Sequence, residues 1–190
     1  MTAAAVRLDV TDEASVTAAA QWVDGRHGRL DILVNNAGIV VELLGPASAT
    51  TVALMRQTYE TNVFGIVAVT NAMLPLLRRS GSARIVNVSS ALGSLAQTSG
   101  PDGVWSAYPL LAYNSSKSAT NALTVQYANE LRDTAIKVNA TDPGYCATDL
   151  NRNSGPRTPA QGAAISVRLA LLPDDGPTGK FHNDDGPVPW

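Results

Sequence analysis

Short continuous apolar runs alternate along the chain with longer stretches in which apolar positions recur every three or four residues. The runs suit strands buried on both faces of a parallel sheet, and the stretches suit helices lying against it. Residues 3–10, with Asp9 near the end, 30–35, 84–89 and 135–140 read as strands, and 179–183 as a last short one. Thr11, Asp12 and Glu13 supply a capping hydroxyl and acids for a helix carrying Val16, Ala19, Ala20 and Val23, ended by Gly25 and Gly28. A long helix is predicted over residues 50–79, with Met55, Val63, Ile66, Met73 and Leu77 among its apolar positions and Pro75 expected to kink its last turns. Another runs over residues 112–133 with Ala119, Leu123, Tyr127 and Leu131 on one face. A third starts at Thr158, with Pro159 in its first turn, and runs to about Leu172. Residues 91–111, with Gly93, Gly100, Pro101, Gly103 and Pro109, read as loop. A short helical turn is expected over residues 147–150, and an extended tail over 186–190. Strand and helix alternate throughout, which predicts a single α/β domain over residues 1–190, its parallel sheet covered on both faces.

Composition narrows the function classes. Hydrophobic residues form 45% of the 190 positions and charged ones 16%, a globular balance rather than a disordered one. A net charge of −2 gives no footprint for nucleic acid. The single cysteine, Cys146, excludes an intramolecular disulfide and a multi-thiolate metal cage, and His27 and His182 have no metal-ligand spacing. With no apolar run near the ~20 residues of a bilayer span and no basic-then-apolar leader, no membrane partner is expected and the expected location is cytoplasmic.

The candidate chemistry centres on Tyr113 and Lys117, four apart and so on one face of a helix. A phenol ordinarily ionises near ~10, and a fixed ammonium beside it favours the phenolate. In open parallel sheets ligands sit beyond the carboxyl ends of the strands. Polar residues collect at four such ends: Asp9; Asn35, Asn36, Ala37 and Gly38; Ser89 and Ser90; and Asp142, Pro143 and Gly144 with Thr148.

Six stretches, Leu8-Asp-Val-Thr-Asp12, Asn35-Asn-Ala-Gly38, Asn62-Val-Phe-Gly65, Arg84-Ile-Val-Asn-Val-Ser-Ser90, Tyr113-Asn-Ser-Ser-Lys117 and Asp142-Pro-Gly-Tyr-Cys-Ala-Thr148, resemble the short-chain dehydrogenase/reductase family, and most of all its carbonyl-reductase-like members. The resemblance implies a Rossmann-like doubly wound parallel sheet and hydride transfer between NAD or NADP and a small-molecule carbonyl or secondary alcohol. By the same resemblance Tyr113 is the general acid/base, and Lys117 lowers its pKa and holds the nicotinamide ribose. Ser90, rather than Ser89, holds the substrate oxygen. Asn62 either holds a water linking Lys117 to solvent or is a helix-interior amide satisfied by a backbone carbonyl. Asp9 and Val10 would line the adenine pocket, the backbone of Asn35, Asn36, Ala37 and Gly38 the adenosine ribose, and Pro143, Gly144 and Thr148 the nicotinamide. Cys146 reads as a packing residue, and Trp105 and Tyr108 as lining for a substrate pocket. The resemblance also implies a homo-oligomer through the helices at about 50–79 and 112–133.

Two departures from the family pattern stand out. Ser90 and Tyr113 are separated by 22 residues, more than the family commonly carries. The family's first two strands and first two helices, with the glycine-rich turn that anchors the pyrophosphate, have no counterpart. Met1 is therefore expected to be either a mis-set start within a longer reading frame, the favoured reading, or the true start of a remnant. The strand at residues 3–9 would lie about 14 Å, three strand spacings, from its next neighbour. It is expected to slide in beside residues 30–35, to hang on its loop, or to pair with another chain. A second reading follows, in which the chain is a non-catalytic fragment or subunit unable to bind the dinucleotide by itself.

Overall fold

Three of the apolar runs pair in parallel at the centre of the computed structural model, which describes residues 3–100 and 102–190. Met1 and Pro101, both invoked above, lie outside the described residues. Strand β1 (Ile32–Asn35) pairs with β2 (Arg84–Val88), and β2 with β3 (Lys137–Thr141), so that Val34, Val86 and Asn139 share one register row. β4 (Phe181–Asn183) joins β3 in parallel, and β5 (Gly186–Pro187) folds back on β4 in antiparallel sense. The tail expected to be merely extended thus closes the sheet, and Trp190 stacks on Phe181 with ring centroids 5.7 Å apart.

Helix α1 (Glu13–His27) is capped by Asp12, one residue later than Thr11, its carboxylate accepting the Ala14 N–H. It stops where Gly28 turns left-handed (φ 69°) and returns its N–H to Asp24. α2 (Val52–Tyr59) and α3 (Gly65–Leu77) form one continuous rod, joined by a π-turn at Glu60–Phe64 in which the Gly65 N–H reaches back five residues to Glu60. This rod of 26 residues is long and apolar enough to match a bilayer span, contrary to the sequence expectation, but half of its apolar window is buried within the protein. α5 (Leu111–Glu130) and α6 (Pro159–Ala170) follow β2 and β3, the latter opened by a reciprocal Thr158/Gln161 cap.

One face of the sheet packs Ile85 and Val138 against Val16, Val69, Met73, Leu77 and Leu131 of the flanking helices. On the other, Val86 meets Ile165 and Leu169 of α6. Two expectations fail. Residues 3–9 form no strand, and Val6 and Leu8 stay about two-fifths exposed. A strand needs a partner's N–H and C=O groups, and no described strand lies on that side of β1. Pairing with residues 30–35 is therefore not formed, and Ile32 and Val34 on the open edge remain 37% and 41% exposed. Second, residues 91–111 are not plain loop. A 3₁₀ turn at Ala91–Gly93 runs into the single-turn helix α4 (Leu95–Thr98), capped by Ser94.

Candidate active site

The buried seam of α5 is built of small polar side chains, Ser116, Thr120 and Thr124, which a helix tolerates because each hydroxyl bonds a carbonyl three or four residues back. Tyr113 and Lys117 lie on this seam, both buried. The Lys117 ammonium donates to the Val88 carbonyl at 2.8 Å, at the carboxyl end of β2, and lies 5.6 Å from the centre of the Tyr113 ring. The helix is seated by close contacts. A Cβ on Gly93 would fall 2.6 Å from the Lys117 backbone, so only glycine lets the 3₁₀ turn touch α5 there. Ser89 donates to Asn121 at 2.6 Å and to the Lys117 carbonyl at 3.2 Å, which commits it to structure. Ser90 instead interacts with the Tyr113 phenol, and its hydroxyl also caps the following turn through the Leu92 N–H.

Asn62 sits inside the π-turn, fully buried. Its side chain accepts the Ile39 N–H at 2.8 Å and donates to the Ile39 carbonyl and to Ser116, both at 3.0 Å. The amide is thus paired with the backbone of the loop after β1 as well as with α5. The clamp holds the loop after β1 so that a Cβ on Gly38 would be 3.5 Å from the Lys117 Nζ and 3.6 Å from the Asn62 Oδ1. Gly38, Asn62, Tyr113, Lys117 and Ser90 are thus brought together. Asn35 points away from them, donating to Thr70 and Asn87 inside the fold, whereas Asn36 and Ala37 are exposed beside Gly38.

The electrostatics differ from the sequence expectation. Burial pushes the Tyr113 phenol up to about 12, the Ser90 hydrogen bond opposes the rise, and the Asp142 carboxylate adds to it. Burial also pulls Lys117 down to about 8. A lysine that loses its own hydration is a weak stabiliser of a phenolate that has also lost its hydration, so desolvation outweighs the pair attraction. Asp142 is raised as well, by burial, against hydrogen bonds from Gly144 and Ala91. At neutral pH the site therefore holds a neutral phenol.

Around it, Gly144 adopts φ 72°, and a Cβ there would meet the Arg157 side chain at 2.9 Å. Pro143 accepts from the Cys146 thiol at 3.3 Å, and a Cβ on Gly162 would overlap that sulfur, so Cys146 is packed as expected. The Thr148 N–H is taken by Asn151. Asp9 is held by the Thr11 backbone and hydroxyl, which lower its pKa, and Val10 lies against Gly65 at the start of α3. The Trp105 and Tyr108 rings are 5.8 Å apart in the segment before α5. The sequence reading missed Glu42, a buried carboxylate that accepts the Tyr113 N–H at 2.7 Å. An isolated acid 71 positions from its partner carries no local signal.

A sequence model of the short chain dehydrogenase family matches residues 1–158. The chain is 31% identical to a (+)-neomenthol dehydrogenase of Capsicum annuum, covering 92% of this chain and 76% of that protein. It is 40% identical to a short-chain dehydrogenase of Penicillium roqueforti, covering 86% of this chain and 66% of that protein. Among solved structures, an NADPH-bound carbonyl reductase from chicken fatty liver superposes with a TM-score of 0.80 at 30% identity, over 97% of this chain and 76% of that one. The chain thus spans from two thirds to about three quarters of the length of these proteins.

Proposed function

The chain belongs to the short-chain dehydrogenase family, and from that premise we propose that it is an oxidoreductase of a small-molecule carbonyl/secondary-alcohol pair, with Tyr113 as the general acid/base. The observation that carries the reading is the convergence of Ser90, Tyr113 and Lys117 at the carboxyl end of β2, with Tyr113 and Lys117 buried. A phenol raised to about 12 is protonated at neutral pH, the form that donates to a carbonyl oxygen. Ser90, already interacting with the phenol, would hold that oxygen. Lys117 would replace the proton that leaves Tyr113, since an ammonium near 8 releases one readily. Asn62 acts through the Ile39 backbone, by holding the loop that carries Gly38.

NAD or NADP, when bound, supplies the hydride. The nicotinamide end fits the residues present. Among the described residues one of the three ammonium N–H groups of Lys117 is taken, by Val88, which leaves donors for ribose hydroxyls. Pro143, Gly144 and Thr148 would face the ring, and Asp9, Val10 and the Asn35–Gly38 backbone the adenosine end. The pyrophosphate end does not fit as well. Among the described residues no glycine-rich turn opens a helix beside β1. The second reading is a subunit that cannot hold the dinucleotide alone. Titration with NADPH and NADH separates the two. A rise in thermal midpoint and a change in fluorescence are expected for the enzyme. No response to either nucleotide rejects the enzyme reading for this chain.

A further inference from the structure

The loop leaving β1 is fastened at three places: Ile39 is held by Asn62, Gly45 donates to the Pro109 carbonyl at 3.3 Å, and between them Glu42 turns inward. Glu42 is only 8% exposed. Its Oε1 accepts the Tyr113 N–H at 2.7 Å, and its Oε2 accepts the Thr50 hydroxyl at 3.0 Å. Helix α5, of 20 residues, follows Leu110, which supplies no side-chain cap. Its first N–H groups have no acceptors within the helix, and its N-terminus carries partial positive charge. Among the described residues Glu42 forms no ion pair. Its charge is compensated by that helix end and one hydroxyl, an arrangement that persists only if both contacts hold.

We propose that Glu42 is a positioning residue, whose carboxylate fixes the first turn of α5 and thereby sets Tyr113 and Lys117 against Ser90 and Gly38. The contact is to the backbone of Tyr113 itself, so a displacement of Glu42 moves the phenol directly and Lys117 one turn later. It also ties the loop bearing Gly38 to the helix bearing the acid–base pair, two parts that are otherwise joined mainly through Asn62 and Ser116. Only the kinetic part of the proposal rests on the acid–base reading of Tyr113.

The test uses the full chain with Glu42→Ala and Glu42→Gln. Glutamine keeps an oxygen for the Tyr113 N–H and an amide toward Thr50, whereas alanine removes both. Two readouts are compared: the titration of Lys117, followed by NMR of ¹³C-labelled lysine and assigned with Lys117→Met, and kcat and KM for NADPH-dependent carbonyl reduction. In Glu42→Ala, Lys117 is expected to titrate about one pH unit or more nearer the ordinary lysine value as the cleft admits water. In the same variant kcat is expected to fall about tenfold or more with KM nearly unchanged, as misplacement of reacting groups predicts. Glu42→Gln is expected to restore most of both. If Glu42→Ala lowers thermal stability but leaves the Lys117 titration at its wild-type value, Glu42 is only a structural cap and the proposal fails. Should Glu42→Ala not fold, Thr50→Val loosens the same carboxylate and is expected to move both readouts in the same direction by less. No movement of the Lys117 titration there overturns the proposal. A wild-type chain without turnover would count against the proposed enzyme activity, while the Lys117 titration would still decide the role of Glu42.

Discussion

Replacing Lys117 with methionine is expected to stabilise the protein at neutral pH, although it removes a group at the heart of the site. The ammonium ordinarily titrates at 10.5 and here at about 8, because burial disfavours the charged form. At ~1.36 kcal/mol per pH unit that is a penalty of about 3 kcal/mol for keeping the cation in the folded state. Methionine has similar volume and no charge, but it forfeits the hydrogen bond to Val88, worth about 1 kcal/mol. The net expectation is a gain of about 2 kcal/mol at pH 7. Its pH dependence follows from the sign of the shift. Below pH 8 lysine is charged in both folded and unfolded states, so the full penalty applies. As pH rises through 8 toward 10.5 the folded state sheds its proton first, and the penalty fades. Wild-type stability from this group should therefore climb by about 2 kcal/mol between roughly pH 7.5 and 9.5, while Lys117→Met lacks that climb and its advantage vanishes. Urea unfolding at half-unit pH steps measures both, and stopping at 9.5 keeps clear of tyrosine ionisation in the unfolded chain. A Lys117→Met protein that is less stable than wild type at pH 7, or whose advantage is the same at 9.5, would refute the desolvation argument.

Two other substitutions probe the same cleft. Tyr113→Phe removes the donor while keeping the ring beneath Lys117, so turnover is expected to fall by about 10²–10⁴, with NADPH affinity within about twofold by fluorescence titration; retained turnover would reassign the acid. Gly93→Ala places a methyl 2.6 Å from the Lys117 backbone, and an overpacking cost of about 2–3 kcal/mol is expected in urea unfolding; an unchanged midpoint would mean that the 3₁₀ turn yields without strain.

The sheet was legible because its central strands are continuous apolar runs that end in polar turns, and residues 30–35, 84–89 and 135–140 enclose or overlap β1, β2 and β3 within a residue or two. Thr158 and Pro159 marked the start of α6 because capping is a local property. The failure at residues 3–9 has the opposite cause. Apolar character makes a segment able to form a strand, but a ladder needs a second strand, and the pattern within the segment cannot report whether one is there. The site divides similarly. Tyr113 and Lys117 are linked by helical spacing and could be read directly. Glu42, Asn121 and Gly93 act across 71, 32 and 24 positions on Tyr113, Ser89 and Lys117, so only the folded chain brings them into view. The direction of the Tyr113 pKa was misread for the same reason. Spacing gave the lysine's proximity to the phenol, but burial, which dominates both groups, depends on everything packed around them.

The clamps that build the cleft also indicate which properties depend on the open edge of β1. Glu42 to Tyr113, Asn62 to Ile39, Ser89 to Asn121, and Gly93 against Lys117 all run among the loop after β1, the α2–α3 rod, the end of β2 and α5. None passes through residues 3–9; the next residue, Val10, lies against Gly65 at the start of α3. The acid–base geometry is therefore self-supporting, and the low Lys117 pKa should be insensitive to whatever lies along Ile32 and Val34.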